Sequence, residues 1–224
     1  MLHRMTRSAA GHVRVLDLTK PIGPELAIYS TGEYSDPPLE LRDWCTVASQ
    51  GYRVSAVSLG TQTGTHIDAP AHFDAGGATL DRLSVDRLIG RYFLVDLPAR
   101  ADAAAAVERC RTFSTETILF IRAPEDESVR MTAAALDALL DLPPRVWVAD
   151  GAFEVEGAEE LAFHRRLATT GVYLVEDLAR EAARAVRPGG EVFALPLALV
   201  GTSGAPCRVV VRDRQGPTSS DAPG

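Results

Sequence analysis

The segment Gln62-Thr63-Gly64-Thr65-His66-Ile67-Asp68-Ala69-Pro70-Ala71-His72-Phe73 places an imidazole and a carboxylate two residues apart, directly after an apolar stretch ending at Leu59. Pro70 has no N–H and pushes Ala69 away from the helical region, so the backbone here is not an ordinary helix. In an extended segment His66 and Asp68 project to the same side, and Gln62 and Gly64 share that parity. An imidazole and a carboxylate facing one way at a strand end suit a divalent cation. Gly64 permits close backbone approach there, and a turn at Pro70 can bring His72 back toward the same point. The same residues also suit a structural polar loop, with Asp68 capping the next turn.

A second pair lies about a hundred residues downstream. Leu161, His164 and Leu167/Ala168 recur at helical spacing within Ala158–Ala168, so His164 faces inward. Glu176 ends the run Val172-Tyr173-Leu174-Val175-Glu176 on the same side as Val172 and Leu174, where a carboxylate is costly unless paired or metal-bound. A satisfied core histidine and a salt bridge from Glu176 to an arginine such as Arg180 are the alternatives. His3 and His12 fall in an irregular lead-in and are set aside.

The elements needed to position these groups are legible as two alternating periods. Val13–Leu18 and Tyr52–Leu59 alternate like half-buried strands. Short apolar runs follow at Tyr92–Leu97, Thr117–Ile121, Val146–Ala149, Val172–Val175, Val192–Leu195 and Arg208–Val211. Between them, Asp102 can cap a helix over Ala103–Arg111 and Thr132 one over Ala133–Leu140. Ala158–Ala168 and Asp177–Val186 complete the helices, the latter stopping before Pro188-Gly189-Gly190. This is the pattern of an α/β domain with helices packed on a sheet, occupying residues 13–212 as one unit, with flexible termini at 1–12 and 213–224. Pro21–Ser49, with prolines at 21, 24, 37 and 38, reads as a long irregular surface loop. Trp44, Tyr29, Tyr34, Phe73 and Phe153 are candidates for a pocket wall, with Trp44 and Phe73 preferred.

Composition excludes several classes. The chain has 224 residues, 46% hydrophobic and 24% charged, enough for a full core without disulfide or metal staples. A net charge of −7 spread along the chain argues against nucleic-acid or anionic-membrane partners. Three widely spaced cysteines with no CxxC make a disulfide framework or a cysteine zinc site improbable. The N-terminus lacks a secretory pattern and the apolar runs are too short to span a membrane, so a cytoplasmic protein is expected.

The stretch Gly64 to Phe73 closely resembles the signature H-x-G-T-H-x-D-x-P-x-H of the metal-dependent cyclase family, which includes the bacterial kynurenine formamidases. Val15-Leu16-Asp17-Leu18-Thr19 with Pro21-Ile22 is similar to the family's opening strand. His164 and Glu176 followed by Asp177-Leu178 resemble its second ligand pair, and Leu195-Pro196-Leu197 with Gly204–Val209 resembles its closing hairpin. The resemblance implies a swivelling β/β/α domain with a mixed sheet, assembled as a homodimer or homotetramer in which a neighbouring subunit helps to close the site. It implies zinc or manganese, one or two ions per subunit, held by His66, Asp68, His164 and Glu176, with His72 as catalytic acid/base. The implied reaction is hydrolysis of a small amide, formamide or lactam, of the N-formylkynurenine kind, through water activated by the metal. Thr65 and the backbone around Gly64 would support the oxyanion. Gln62 stands where the family has its first histidine. A glutamine ligates through its carbonyl oxygen, which points to a single metal or to manganese over zinc. Arg122-Ala123-Pro124 replaces the family's R-T-G, so the substrate does not carry over. Two further readings are a polyketide-type cyclase holding an enolate on the metal without hydrolysis, and a ligand-binding homologue without turnover.

Overall fold

The computed structural model describes residues 13–125 and 128–214. In chain order the elements are β1 (Val13–Asp17), β2 (Glu40–Cys45), α1 (Val47–Gln50), β3 (Val54–Ser58), β4 (His66–Asp68), β5 (Ile89–Asp96), β6 (Arg100–Ala101), α2 (Ala103–Cys110), β7 (Ile118–Arg122), β8 (Val129–Met131), α3 (Ala133–Leu140), β9 (Val146–Asp150), β10 (Phe153–Val155), α4 (Ala162–Thr169), β11 (Tyr173–Glu176), α5 (Arg180–Arg184), β12 (Glu191–Pro196) and β13 (Gly204–Arg214).

The strand signals become an eight-stranded sheet ordered β1-β13-β12-β5-β7-β9-β11-β4, which a further pairing of β13 with β4 closes into a barrel. β5, β7, β9 and β11 run parallel to one another. The remaining pairings around the ring are antiparallel. Parallel strands covered on both faces read as unbroken apolar runs, and Ile118-Leu119-Phe120-Ile121 and Val146–Asp150 are buried throughout. Alternate residues then divide between two cores. Ile118, Phe120, Val146, Val148, Tyr173 and Val175 pack with α5 and with residues of β1, β12 and β13. Leu119, Ile121, Trp147, Ala149 and Leu174 pack against α2, α3 and α4. The result is the expected mixed α/β fold, a sheet flanked by helices. β6, β8 and β10 form a small second sheet.

The caps fall where the sequence puts them: Asp102 accepts from the Ala105 N–H at 2.8 Å, and Thr132 from the Ala135 N–H at 3.1 Å. Each such cap contributes about 1 kcal/mol. Four expectations need correction. Pro21–Ser49 is not wholly irregular, because Glu40–Cys45 pairs antiparallel with Val54–Ser58 in an exposed two-stranded hairpin. The strand expected at Tyr52–Leu59 is therefore not half-buried in the main sheet. Two helices start late: α4 at Ala162, after Leu161 in a left-handed conformation (φ 64°), and α5 at Arg180, after Asp177 at φ 56°. The chain also stays ordered past residue 212. Asp213 and Arg214 belong to β13 and pair with Arg14 and Val13 of β1. His3, His12 and the rest of both expected flexible termini lie outside the described residues.

Candidate functional site

Barrel closure puts β4 between β11 and β13, with Glu176 opposite His66 and Leu174 opposite Asp68. Cross-strand partners share a face, so the strand register alone brings His66, Asp68 and Glu176 together. Their ligating atoms lie within 4.8 Å of one another. His66 Nε2 is 3.4 Å from Asp68 Oδ1 and 3.5 Å from Glu176 Oε1. His164, delivered by α4 from the same side of the sheet, places Nε2 3.2 Å from Glu176 Oε2. The alternative of an arginine partner for Glu176 does not appear among the described residues, where Glu176 faces two imidazoles.

One hydrogen bond decides the chemistry of His66. Its Nδ1–H donates to the Gly64 carbonyl at 2.7 Å, so in the neutral ring Nε2 carries a lone pair aimed at two carboxylates. Gly64 holds φ 65°, and a Cβ there would stand 3.0 Å from Leu26 Cδ2, so both space and backbone favour glycine. Burial works to lower the His66 pKa, but hydrogen bonds to Asp68 and Glu176 together with their charges outweigh it and raise it well above the ordinary value. Burial works to raise the Glu176 pKa and is likewise overridden, by His164 and His66, which hold the carboxyl far below its usual range. The cluster therefore requires a positive charge at its centre. A proton on His66 satisfies it, and so does a divalent cation on one imidazole nitrogen and two carboxylate oxygens, a donor set suited to zinc or manganese.

The remaining expected residues separate. Gln62 lines the site, but its Nε2 donates to Asp68 Oδ1 at 3.4 Å while its Oε1 accepts from Thr61 Oγ1 at 2.5 Å. His72 ends a single 3-10 turn at Pro70–His72 and stays exposed on the cavity wall. Phe73 packs its ring 4.4 Å from that of His72 and 5.3 Å from that of His164, so it sets the attitude of both. Thr65 is not available to a substrate. It is buried, its hydroxyl donates to the Asp177 carbonyl at 2.7 Å and accepts from the Lys20 N–H at 2.9 Å. Trp44 is 65% exposed on the β2–β3 hairpin under Arg42 and does not line the cavity, because the hairpin extends away from the barrel.

The cavity has a volume of about 990 Å³. His66, Asp68, His72, His164 and Glu176 share it with Ile28, Tyr29, Tyr34, Phe73, Phe153 and Leu178. Sequence reasoning missed Lys20, Asp150, Asp177 and Arg180, which also line it. Asp150 carried the same signal as Glu176, a carboxylate ending a buried strand. Lys20 pairs with Asp177 across the site.

Comparison with known proteins places the chain among cyclase-family relatives. The family model Cyclase, described as "Putative cyclase", matches residues 16–149, which include His66, Asp68 and His72. A kynurenine formamidase of Salinibacter ruber is 29% identical over 220 residues, covering 91% of this chain and 99% of the relative. One from Bacillus cytotoxicus is 25% identical over 210 residues, covering 88% and 96%. Among solved structures, an isatin hydrolase bound to the product analogue thioisatinate superposes with a TM-score of 0.74 at 21% identity, covering 91% and 93%, a likeness of fold. A potential metal-dependent hydrolase with cyclase activity gives 0.67 at 27% identity, covering 91% and 100%.

Proposed function

Since the chain belongs to the cyclase family, we propose that it is a metal-dependent hydrolase of carbon–nitrogen bonds other than peptide bonds, acting on a small amide, formamide or lactam. The observation that carries this reading is the convergence of His66 Nε2, Asp68 Oδ1 and Glu176 Oε1, with the other His66 nitrogen already committed to Gly64. His66, Asp68 and Glu176 would hold the cation, with His164 beside them on the second Glu176 oxygen. Gln62, bound to Asp68, occupies one approach to that carboxylate, which supports a single zinc or manganese ion per subunit. The ion would supply Lewis acidity toward a substrate carbonyl and would acidify water. His72 presents its imidazole to the cavity with no side-chain hydrogen bond among the described residues, so it is placed to accept a proton from water and return it to the departing nitrogen. Phe73, Phe153, Tyr29 and Tyr34 give the wall an aromatic character that suits an aryl formamide such as N-formylkynurenine, in keeping with relatives named kynurenine formamidase.

The same reading takes residues 13–212 as one catalytic domain in a cytoplasmic homodimer or homotetramer. Its support is the β2–β3 hairpin, which exposes Leu41, Trp44, Val54 and Val57 together. No helix among the described residues is long and apolar enough to cross a membrane.

The test is metal analysis of protein purified without chelator, joined to assays of an aryl formamide, an imide, a lactam and a lactone with added manganese or zinc. Bound transition metal with metal-dependent release of formate or ring opening supports the reading. Metal binding with cyclisation but no hydrolysis would favour a cyclase. Protein without metal, and without any metal-induced rise in melting temperature, would overturn the reading altogether.

A further inference from the structure

Arg180 opens α5 four residues after Glu176 and lines the same cavity. Its guanidinium is fixed from behind, where Nη2 donates to the Pro124 carbonyl at 2.6 Å and to the Glu125 carbonyl. Among the described residues, Nη1 and Nε have no acceptor. Nη1 faces Gly151, and a Cβ at that glycine would stand 3.3 Å from Nη1 and 2.5 Å from Ala123 Cβ. Gly151, at φ 110°, thus lets Ala123 and the charged end of Arg180 pack closely where a side chain would collide.

The neighbouring charges show which group this end is left for. In the cavity, Lys20 is neutralised by Asp177. Asp68 and Glu176 face the imidazoles. Asp150, 3% exposed, lies 3.3 Å from Arg184 Nε without hydrogen-bond geometry, and its Oδ2 has no partner. Asp150 therefore attracts Arg180 through space without occupying its donors. Nη1 and Nε are thus left as separate charged donors on a guanidinium anchored by backbone carbonyls, and a carboxylate is a strong acceptor for either of them.

We propose that Arg180 is a specificity-determining residue that recognises a carboxylate on the substrate, so that the preferred amides are aromatic and anionic. The proposal rests on the hydrolase reading for its reaction and on the anchored Arg180 guanidinium for its selectivity, and the two can fail separately. The probes are 2-formamidobenzoate and its neutral counterpart formanilide, assayed with the metal-loaded protein and with Arg180→Gln and Arg180→Lys. Arg180→Gln is expected to raise KM for 2-formamidobenzoate about tenfold or more, with KM for formanilide and the metal content unchanged. Arg180→Lys should fall between, keeping the charge but losing the anchored, directional donors. An equal effect on both substrates, or none on either, would overturn the proposal while leaving the hydrolase reading intact.

If neither compound is hydrolysed, the hydrolase reading fails for aryl formamides and binding decides the role of Arg180. Calorimetric titration with the inert 2-acetamidobenzoate should then show binding to the parent that weakens about tenfold in Arg180→Gln. Equal binding, or none to either protein, overturns the assignment.

Discussion

Glu176 faces His66 across the β11–β4 ladder and uses both of its oxygens: Oε1 lies 3.5 Å from His66 Nε2 and Oε2 lies 3.2 Å from His164 Nε2. One carboxylate thus links the strand that carries the histidine motif to the helix that carries the distant histidine. Glu176→Gln keeps the shape and removes the charge. It is expected to weaken divalent metal binding by about a hundredfold or more, read by titration of metal-free protein. The fold should persist by circular dichroism, since the substitution also removes a costly buried charge. Unchanged metal affinity would place the ion elsewhere.

His72 sits on the cavity wall, against the edge of Phe73 and outside the tight His66–Asp68–Glu176 group. His72→Ala is expected to lower kcat by about a hundredfold to ten-thousandfold, the range for a lost general acid/base. Metal content should stay at the parent level by elemental analysis. Loss of metal in this variant would make His72 a ligand, and unchanged kcat would remove it from the reaction.

Asp150 gives a pH signature in stability. Burial holds its carboxyl above the usual Asp value, against the opposing pull of Arg180, Arg184 and Arg122. As pH rises, the unfolded chain releases this proton first. Between the ordinary value and the raised one, the folded state therefore binds more protons, and this group's contribution to stability falls as pH increases. Asp150→Asn removes that dependence. The melting temperature of the variant minus that of the parent should climb as pH rises above the ordinary Asp value of about 3.9. A flat or falling difference would contradict the burial argument.

How far such a site can be read from sequence depends on whether its cause is local. The short apolar runs at Val146–Ala149 and Thr117–Ile121, and the caps Asp102 and Thr132, follow from local hydrophobicity and side-chain chemistry, and each appears in place. The convergence of His66, Asp68 and Glu176 needed the ring to close through β4, a long-range event with no local trace. Inward faces for His164 and Glu176 narrowed the choice without settling it. Thr65 and Trp44 show the opposite limit. The Thr65 hydroxyl is consumed by Lys20 and Asp177, residues far away in sequence, and Trp44 leaves the site because Glu40–Cys45 pairs with Val54–Ser58 in an exposed hairpin. Propensity could announce neither outcome.

That hairpin carries its own prediction. Leu41 and Val57 are cross-strand partners, 53% and 57% exposed, an expensive arrangement for an isolated ribbon in water. A second copy of the chain would cover them. Val57→Asp, with Leu41→Asp as a second variant, is expected to shift the protein toward monomer in light scattering at micromolar concentration. The barrel lies apart from the hairpin, so its circular dichroism should not change. Retention of the parent's multimeric mass in both variants would place the interface elsewhere, and a monomeric parent would remove the need for one.

A buried ion pair outside the site joins the two ends of the described chain. Arg14 on β1 grips both oxygens of Asp213 on β13, at 3.0 and 2.6 Å, and also donates to the Ala185 carbonyl at 2.6 Å, at the end of α5. Asp213 is 2% exposed, so removing it strands a guanidinium with little water to replace the lost partner. The hydrogen bond that Arg14 donates to Asp213 raises the Arg14 pKa, with burial acting against it, so the charge cannot be shed by titration near neutral pH. Asp213→Ala is therefore expected to cost about 3–5 kcal/mol in urea unfolding, the range for breaking a buried pair on one side. Replacing both partners by apolar residues, Arg14→Met with Asp213→Leu, should recover much of that loss, because no unpaired charge remains. A double variant no better than Asp213→Ala would show that the packing of β1 on β13, and not the stranded charge, sets the cost.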